Sequence, residues 1–437
     1  MAKLAICGGK PLCGRNKKWA KWPISDEKDV QLVAKITRSN RWSFDGPVEW
    51  RFAEAFTKYQ TAKYGLCCAN GTVGLSIALE ALNIGAYDEV IVPGITWQAT
   101  ASCCLDVNAV PVLTDVEPDS WCLDLAAVEA NITPRTRAVI VVHLYGSTCD
   151  IDGLVKLCKK HKLALIEDCA HQHGTFWRGQ GVGSFGDVSS WSFQESKVLS
   201  CGEGGFNMCQ TKRMFERIYS LRNCGRPYEA EPPVFGMTKA APGSSALHSG
   251  NYRIGEFQAA MLLGGLRRLD AQVKLRDKNA QYLNAQLAEI PGVLPMRRRR
   301  EVSQQSYFNF AFRLDMQALK VTNRQFCAAL NAELHTGDAF EPPYDPLSHC
   351  SLFKPRTKRR HRLGNEYWKA VDPRRYKIPV CREATDRSGV VVHHVLLMHT
   401  TRDMDEVAAA VKKLVDNIDE VRKLDTGNQK KHQALSR

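Results

Sequence analysis

Long apolar runs are missing from this 437-residue sequence. No stretch reaches about 18 consecutive apolar residues, the length that a membrane-spanning helix needs. The first ten residues also turn polar too early for the apolar core of a secretory signal peptide. We therefore expect a cytoplasmic protein with no membrane partner. The hydrophobic content of 44% is enough for a substantial buried core.

Cys-x-x-Cys units are also missing, although the chain has 16 cysteines. Several cysteines are instead adjacent, as in Cys67-Cys68 and Cys103-Cys104, or lie in an apolar run, as Cys169 does. Zinc sites require paired ligand spacing, and disulfides are rare in the cytosol. The sequence therefore predicts no metal site, and thiols that pack as small hydrophobic side chains.

Acidic residues, at 46, are too few to balance the 60 lysines and arginines, and the formal net charge is +14. The excess lies in 297–300, 354–362 and 374–375 and at both ends, in segments that look like loops or tails. No zinc finger, basic heptad or RNA-binding aromatic motif accompanies it, so we expect no nucleic-acid partner. Solvated loops are one interpretation, and a basic rim that attracts a phosphorylated substrate is the other.

Short strand-like runs alternate with helix-length stretches between about residues 65 and 210. The runs are 89–93, 111–115, 138–142 and 163–168, and the predicted helices are 71–82, 124–130 and 151–161. Runs that are apolar on both faces and separated by helices are typical of a mostly parallel sheet covered on both sides. The sequence therefore predicts an α/β domain whose ligand binds at the carboxyl ends of the strands.

The pattern changes after about residue 250. Apolar residues at helical spacing predict one long helix over 255–287, followed by a strand at 307–312 and helices near 322–334 and 402–422. We expect an N-terminal segment, 1–60, that contributes to the substrate pocket and the small domain, a large α/β domain, 61–290, a smaller α+β domain, 291–420, and a polar tail, 421–437.

Candidate functional residues follow the predicted strands. Asp168 ends one run and is followed closely by His171, and Lys197 comes after another run and before the glycine cluster at 202–205. A lysine shielded from water beside a cofactor loses its proton readily and becomes a nucleophile. Taken singly, Asp168 could be a helix cap and Lys197 a surface cation.

A third group lies between a strand-like run and a helix, in Ala-Asn-Gly-Thr-Val-Gly at 69–74. Small residues at a helix start can direct backbone N–H groups and a hydroxyl at an anion. The other interpretation is that they only form a turn.

Five motifs together resemble the DegT/StrS family of pyridoxal-phosphate-dependent sugar aminotransferases, over about residues 18–420. They occur in the family's order: Asn-Gly-Thr at 70–72, Val-Pro-Gly-Ile-Thr-Trp-Gln-Ala-Thr at 92–100, Glu-Asp-Cys-Ala-His at 167–171, Ser-Phe-Gln-Glu-Ser-Lys at 192–197 with Gly-Glu-Gly-Gly at 202–205, and Asn-Tyr-Arg-Ile-Gly-Glu-Phe-Gln-Ala-Ala at 251–260. The resemblance implies a fold-type-I transferase, with a mostly parallel large domain and a smaller C-terminal α+β domain.

The resemblance also implies a cofactor, pyridoxal 5′-phosphate, and a role for each matching residue. Lys197 would hold it as a Schiff base and move a proton during the reaction. Asp168 would pair with the pyridine nitrogen and keep it protonated. His171 would donate a hydrogen bond to the phenolic oxygen, and Trp97 would stack on the ring.

The cofactor's phosphate would be held by Gly71, Thr72 and Ser192. In the family an asparagine that matches Asn251 comes from the neighbouring subunit, so the resemblance implies a homodimer with shared active sites. The segment 229–248, just before Asn251, is expanded and rich in proline, glycine and serine.

Substrate contacts are predicted less specifically. Arg41, Trp42 and Phe44 lie in a segment that lines the substrate pocket in relatives. His393 and His394 stand in Val-Val-His-His-Val-Leu-Leu at 391–397, where a packed or surface histidine is the other interpretation.

The predicted reaction is transamination in two half-reactions. Glutamine or glutamate would give the amino group, and the ketone of a polyhydroxylated ring would receive it. The glutamine:scyllo-inosose aminotransferase and 3-amino-5-hydroxybenzoate synthase groups of the family are most similar, which favours a keto-cyclitol acceptor in aminocyclitol or amino-sugar biosynthesis. A nucleotide-linked 3- or 4-keto sugar is the alternative acceptor, and a non-catalytic, cofactor-binding regulator is a second alternative. A lysine at 197, where sugar dehydratases of the family have histidine, favours amino transfer.

Overall fold

A computed structural model describes residues 3–14, 17, 19–43, 46–228 and 247–425. The α-helices are α1 Glu27–Ser39, α2 Pro47–Tyr59, α3 Gly71–Ala81, α4 Ala99–Asp106, α5 Leu125–Ala130, α6 Ile151–His161, α7 Lys212–Arg222, α8 Glu256–Ala288, α9 Met316–Leu319, α10 Asn323–Leu334, α11 Asn365–Ala370, α12 Pro379–Glu383, α13 Thr401–Asp416 and α14 Ile418–Arg422. The strands are β1 Tyr64–Cys68, β2 Glu89–Pro93, β3 Val110–Thr114, β4 Thr136–Val142, β5 Ala164–Asp168, β6 Phe176–Trp177, β7 Gln180–Gly181, β8 Val188–Ser192, β9 Gly205–Cys209, β10 Val293–Pro295, β11 Val302–Gln304, β12 Asn309–Leu314, β13 Phe340–Glu341 and β14 Gly389–His393.

A seven-stranded sheet forms the larger part of the molecule, in the order β1-β9-β8-β5-β4-β2-β3. The pairs from β3 across to β8 are parallel, and β9 runs antiparallel to both of its neighbours. Every residue of β2 and β3 is buried, as the apolar runs predicted. The prediction of a mostly parallel sheet is confirmed.

The helices predicted around this sheet are also confirmed. Each begins within one residue of the predicted start, because a side chain caps it there. Asn70 accepts from the backbone N–H of Val73 at the start of α3, and Asp150 accepts from Gly153 at the start of α6. The last turn of α6 holds Lys159, Lys160 and His161, where the helix dipole favours cations.

The second half of the chain builds a four-stranded antiparallel sheet, β10-β12-β14-β13. A hydrophobic core lies between this sheet and α8, α10 and α13. Leu4 and Cys13 are buried in the same core, so the N-terminal segment packs here. Helix α8, whose 33 residues span about 50 Å, packs with its first half in the large-sheet core and its second half in this one.

Two predicted boundaries were wrong. The strand expected at 307–312 is β12, which begins at Asn309 because the backbone N–H of Phe308 bonds instead to Tyr145 of the larger part. The helix expected over 402–422 is divided at Asn417, whose side-chain amide donates to the carbonyl of Lys413. The first departure brings Phe308 towards the large sheet.

The basic run at 297–300 is not the solvated loop that one interpretation predicted. Arg297 and Arg299 both pair with Glu117, and Arg298 pairs with Asp277. Of the four, Arg300 has a 94% exposed side chain. Arg297 and Arg299 therefore attach the loop before β11 to the segment after β3, and Arg298 attaches it to α8.

All 16 cysteines are free and most are buried, as predicted. No helix in the described part of the chain is long and apolar enough to cross a membrane.

The buried carboxylate of Glu256, at the start of α8, binds the N-terminus of α2. The N-terminus of α2 has no side-chain cap of its own, and the carboxylate of Glu256 accepts from the backbone N–H groups of Val48, at 3.1 Å, and Glu49, at 2.8 Å. Gly46 permits this approach, because a Cβ there would stand 2.1 Å from Cδ of Glu256.

Replacing Glu256 should therefore destabilise the fold. Glu256→Ala leaves two buried N–H groups without an acceptor, and we expect the free energy of unfolding to fall by about 2 kcal/mol in urea denaturation. The control is Glu289→Ala, an exposed glutamate that follows the same helix. An equal loss in both variants would contradict the capping role.

Candidate active site

A cavity of about 830 Å³ opens at the carboxyl ends of β5 and β8, beside the N-terminus of α3. Seven of the residues predicted to bind a cofactor line it: Gly71, Thr72, Trp97, Asp168, His171, Ser192 and Lys197. They come from four separate segments of the chain. The parallel sheet brings these segments to one edge, since its strand ends meet there.

Asp168, the last residue of β5, presents its carboxylate to the cavity. Its oxygens accept from the hydroxyl of Thr100, at 2.9 Å, and the backbone N–H of Ala170, at 3.2 Å. Burial raises the pKa of this carboxyl, while the nearby Lys197 ammonium opposes the rise. A cation placed against Asp168 would stabilise its charged form.

The preceding residue, Glu167, belongs to the opposite face of β5. Its carboxylate accepts from the backbone N–H groups of Gly183, Phe185 and Gly186 at 2.7 to 2.9 Å. Alternation along a strand thus separates a structural carboxylate from the one in the cavity.

Three possible metal ligands, His143, Glu167 and Cys169, lie within 4.8 Å of one another behind the cavity. Nε2 of His143 is 3.4 Å from Glu167, and its Nδ1 accepts from the backbone of Cys149. Hydrogen bonds within the protein therefore account for this buried group, and the absence of a metal stays a prediction.

Lys197 lies in the turn that follows β8, where its backbone N–H donates to the carbonyl of Gln194 at 2.8 Å. The residue is only 9% exposed. Burial lowers the pKa of its amine to about 8, and the Asp168 carboxylate opposes this shift. Nζ stands 3.9 Å from the ring centroid of Phe308. Near neutral pH a larger fraction of this amine is therefore deprotonated, and nucleophilic, than of an exposed lysine.

His171 has a defined tautomer. Its Nδ1 accepts from the backbone N–H of Tyr145 at 3.1 Å, so Nε2 carries the proton and is a donor. Burial and the charge of Lys197 hold its pKa well below the usual range, which keeps the ring neutral. The imidazole stacks on Phe308, with centroids 4.1 Å apart.

The first turn of α3 forms one end of the cavity. Asn70 accepts from the N–H of Val73. The N–H groups of Gly71 and Thr72 also lie in the first turn and have no acceptor within the helix. A Cβ on Gly71 would stand 2.8 Å from Cβ of Ser192, so glycine is what lets β8 approach this turn. Helix N–H groups, two hydroxyls and the helix dipole together suit a phosphate.

Trp97 is 47% exposed at the mouth of the cavity. Its ring centroid lies 5.9 Å from that of Tyr344. The two rings give the cavity an aromatic wall on the solvent side.

Several residues of the cavity were not predicted as functional. The sequence predicts Phe308 only as part of a strand, and Tyr344 stands in a loop without a recognisable motif. Thr100, whose hydroxyl holds Asp168 from the start of α4, is the last residue of the 92–100 motif, and that position was a signal that could have found it.

Other predicted residues do not meet at this cavity within one chain. Trp42 is 51% exposed and contacts Phe257, and Arg41 and Asn251 are also exposed. Phe44 lies outside the described residues, as do 229–246 of the expanded segment. The roles of Arg41, Trp42 and Asn251 stay predictions.

The substrate role predicted for His394 is corrected. The residue is completely buried, Nδ1 accepts from Nε of Arg276 at 3.2 Å, and Nε2 donates to the carbonyl of Ser196 at 3.1 Å. Nε2 of His393 makes a similar bond to Ser196, at 2.9 Å, and this side chain lines a separate cavity of about 440 Å³. Strand β14 ends at His393, and the rings of His393 and His394 both reach the carbonyl of Ser196, next to Lys197.

A buried amine of lowered pKa, a buried carboxylate and an anion-binding helix terminus in one cavity define an enzyme that performs amine chemistry on a carbonyl compound. Residues 23–395 match the model of the DegT/DnrJ/EryC1/StrS aminotransferase family, and the chain belongs to this family. The predictions of the family and of an aminotransferase are confirmed.

Relatives match along nearly the whole chain. L-Glutamine:2-deoxy-scyllo-inosose aminotransferase of Streptomyces fradiae is 40% identical over 95% of this chain and 98% of its own. L-Glutamine:scyllo-inosose aminotransferase of Streptomyces griseus is 38% identical over 96% and 99%. The crystal structure of 3-amino-5-hydroxybenzoic acid synthase superposes with a TM-score of 0.78 at 26% identity, covering 92% of this chain and 99% of that one. The predicted fold class is confirmed.

The pKa of Lys197 can be tested through Asp168. The deprotonated fraction of the amine falls as the pH drops below about 8, so its reductive methylation by formaldehyde should speed up with pH and then level off. Because the carboxylate of Asp168 raises this pKa, Asp168→Asn should move the profile to lower pH.

Peptide mass spectrometry of Lys197 at each pH gives the rate. The control is Glu203→Gln, which removes an exposed carboxylate from the same cavity and should leave the profile in place. An unmoved profile in Asp168→Asn would show that the two groups do not interact.

Proposed function

We propose that this chain binds pyridoxal 5′-phosphate in the 830 Å³ cavity and transfers the amino group of L-glutamine to the ketone of a cyclitol related to scyllo-inosose. The observation that carries the proposal is the meeting of Lys197, Asp168, His171 and the start of α3 in that one cavity. The substrates printed in the names of the two bacterial relatives support the choice of donor and acceptor.

The residues of the cavity fit this cofactor. Asp168 is a buried carboxylate whose hydrogen bonds come from Thr100 and Ala170, and a protonated pyridine nitrogen would place a cation against it. The proton on Nε2 of His171 suits a phenolic oxygen. The open first turn of α3, at Gly71, suits a phosphate.

When bound, the cofactor supplies a carbonyl that takes up the amino group and a ring that accepts an electron pair. Lys197 would hold the cofactor through Nζ. Its amine, when free, would move a proton at Cα of the donor. A pKa of about 8 suits a group that must both accept and return a proton near neutral pH.

The other residues of the cavity orient the reactants and exclude water. Trp97 covers the outer face where the cofactor ring would lie, and Phe308 packs against both Lys197 and His171. Gln194, Ser196 and Glu203 add polar groups to the lining, which suit the hydroxyl groups of a polyhydroxylated ring.

One observation favours a nucleotide-linked keto sugar as a second candidate acceptor. A cavity of about 300 Å³ adjoins the first at Thr72, and Lys354, Lys358 and Arg360 line it. A diphosphate would bind there by charge. The names of the full-length relatives favour the cyclitol.

We also propose the domain division 61–290 and 291–420, with 1–60 shared between them. The separate cores on the two sheets support it, and α8 crosses between them. The N-terminal segment contributes Leu4 to one core and Phe52 to the other.

The homodimer with shared sites belongs to the same proposal. Thr72 and Trp97 leave the cavity open at its outer end, where Asn251 of a partner would complete the phosphate site. Exposed Asn251 and Trp42 are then interface residues instead of solvated ones.

Borohydride reduction tests the cofactor assignment. We expect one pyridoxyl label, on Lys197, after reduction and peptide mapping, because this lysine combines burial with a lowered pKa. Lys197→Arg should give no label and no transamination. A label on another lysine would overturn the assignment.

A screen of acceptors tests the substrate. Scyllo-inosose and 2-deoxy-scyllo-inosose are compared with nucleotide-linked 3- and 4-keto sugars, with glutamine or glutamate as donor, and release of the 2-oxo acid is measured. We expect turnover with glutamine and a cyclitol ketone. Turnover confined to nucleotide sugars, and lost in Lys358→Glu, would favour the second candidate.

Mixed subunits test the shared site. Lys197→Ala and Asn251→Ala subunits are each expected to be inactive, since one lacks the amine and the other a phosphate contact. Mixing them should restore about a quarter of the activity, because random pairing gives one intact site in half of the dimers. No recovery, with dimers confirmed by light scattering, would argue against sharing.

A further inference from the structure

The backbone that carries Lys197 is held from outside the large sheet. The indole N–H of Trp22 lies 3.1 Å from the carbonyl of Glu195 and 3.2 Å from that of Lys197. The carbonyl between them, of Ser196, accepts from His394, at 3.1 Å, and from His393. Three consecutive carbonyls are thus bound by side chains distant in sequence.

A buried arginine stands behind this arrangement. Arg276, in α8, has no exposed surface, and its Nε donates to Nδ1 of His394 at 3.2 Å. Its guanidinium carbon lies 5.0 Å from the centroid of the Trp22 ring, and the rings of Trp22 and His394 meet edge to face at 4.6 Å. One side chain therefore supports two of the groups that hold the Lys197 segment.

The chemistry of this contact explains why an arginine suits the position. His394 can donate from Nε2 as a neutral ring only while Nδ1 is an acceptor. A guanidinium keeps its protons at physiological pH, so Arg276 always offers Nδ1 a donor. The charge of Arg276 also disfavours protonation of His394.

Burying an arginine is costly unless its donors are used. Nη1 and Nη2 of Arg276 have no hydrogen-bond partner in the described part of the chain, and burial lowers its pKa to about 9. A side chain that served only to fill space here would be more stable as methionine or leucine. The hydrogen bond from Nε of Arg276 to His394 is therefore the contact that accounts for a charged group at this position.

We propose that Arg276, His394 and Trp22 are positioning residues that hold the 195–197 backbone, and with it the Lys197 amine, in place for the reaction. None of the three lines the main cavity. Trp22 comes from the N-terminal segment, His394 follows β14 and Arg276 lies in the helix that crosses both cores. The reactive lysine is thereby attached to the second part of the molecule.

The role rests on the proposed function, since it concerns the position of the reacting amine. The test therefore combines activity with hydrogen–deuterium exchange of peptide 193–201 in the protein freed of cofactor. Exchange reports whether the segment is held, whatever reaction the enzyme performs.

Trp22→Phe keeps the ring and removes the indole N–H, and its matched control is Trp19→Phe. Trp19 lies in the same segment, but its buried indole nitrogen has no hydrogen-bond partner among the described residues. We expect Trp22→Phe to lower kcat about tenfold or more, with KM for glutamine changed less than about threefold. Exchange of 193–201 should speed up about tenfold, with strand 138–142 unchanged. Trp19→Phe should alter neither.

Arg276→Met and Arg276→Gln separate the donor from the volume. Arg276→Met should resemble Trp22→Phe, whereas Arg276→Gln, which keeps an N–H donor without charge, should recover most of kcat and the slow exchange. The visible circular dichroism of bound cofactor should weaken in Arg276→Met and return in Arg276→Gln.

Unchanged kcat and unchanged exchange in Trp22→Phe and Arg276→Met would overturn the proposal. So would equal effects of Trp19→Phe, which would indicate general destabilisation. If no cofactor label appears on Lys197 but exchange responds as expected, the proposed function fails while the attachment of the segment stands.

Discussion

The removal of the Lys197 amine from water is the constraint on which the site depends. An ammonium group in this position loses hydration, and its pKa falls to about 8 as a result. Two neighbours limit the cost, the carboxylate of Asp168 and the face of Phe308 at 3.9 Å. Burial raises the pKa of Asp168 in turn, so each group depends on the other for its charge. A cofactor that binds between them must replace this mutual stabilisation.

This balance requires side chains from both parts of the molecule. Asp168 ends β5 and Lys197 follows β8, which are parallel strands of the large sheet. Phe308 directly precedes β12, a strand of the smaller sheet. The backbone N–H of Phe308 donates to the carbonyl of Tyr145. The backbone N–H of Tyr145 in turn donates to His171 and fixes its tautomer. The same end of the small sheet delivers His394 to the Lys197 segment. Movement between the two parts would therefore be transmitted to the reactive amine.

The surface charge has more than one purpose. The arginines at 297–299 are paired with acids, as Arg299 is with Glu117 at 2.7 Å, and they attach their loop to the segment after β3 and to α8. Lys354 and Lys358 stay exposed beside the end of the cavity that Thr72 lines. Net charge alone does not distinguish these uses, because ion pairing depends on which acids the fold brings near.

The sequence by itself determined the parallel sheet, its capped helices and the residues around the anion-binding turn, since strand patterns, caps and glycines act over a few neighbouring positions. Motif order was enough to predict that Lys197, Asp168 and His171 belong to one site, and all three line the same cavity. Only the tertiary structure showed that Phe308 faces the lysine, that His394 lies behind it and that Arg276 supports both Trp22 and His394. These contacts join residues more than a hundred positions apart. From the sequence alone, such side chains would be predicted only to pack in the core. Burial of the amine, which sets its pKa, is a property of the whole packed assembly and of no local segment.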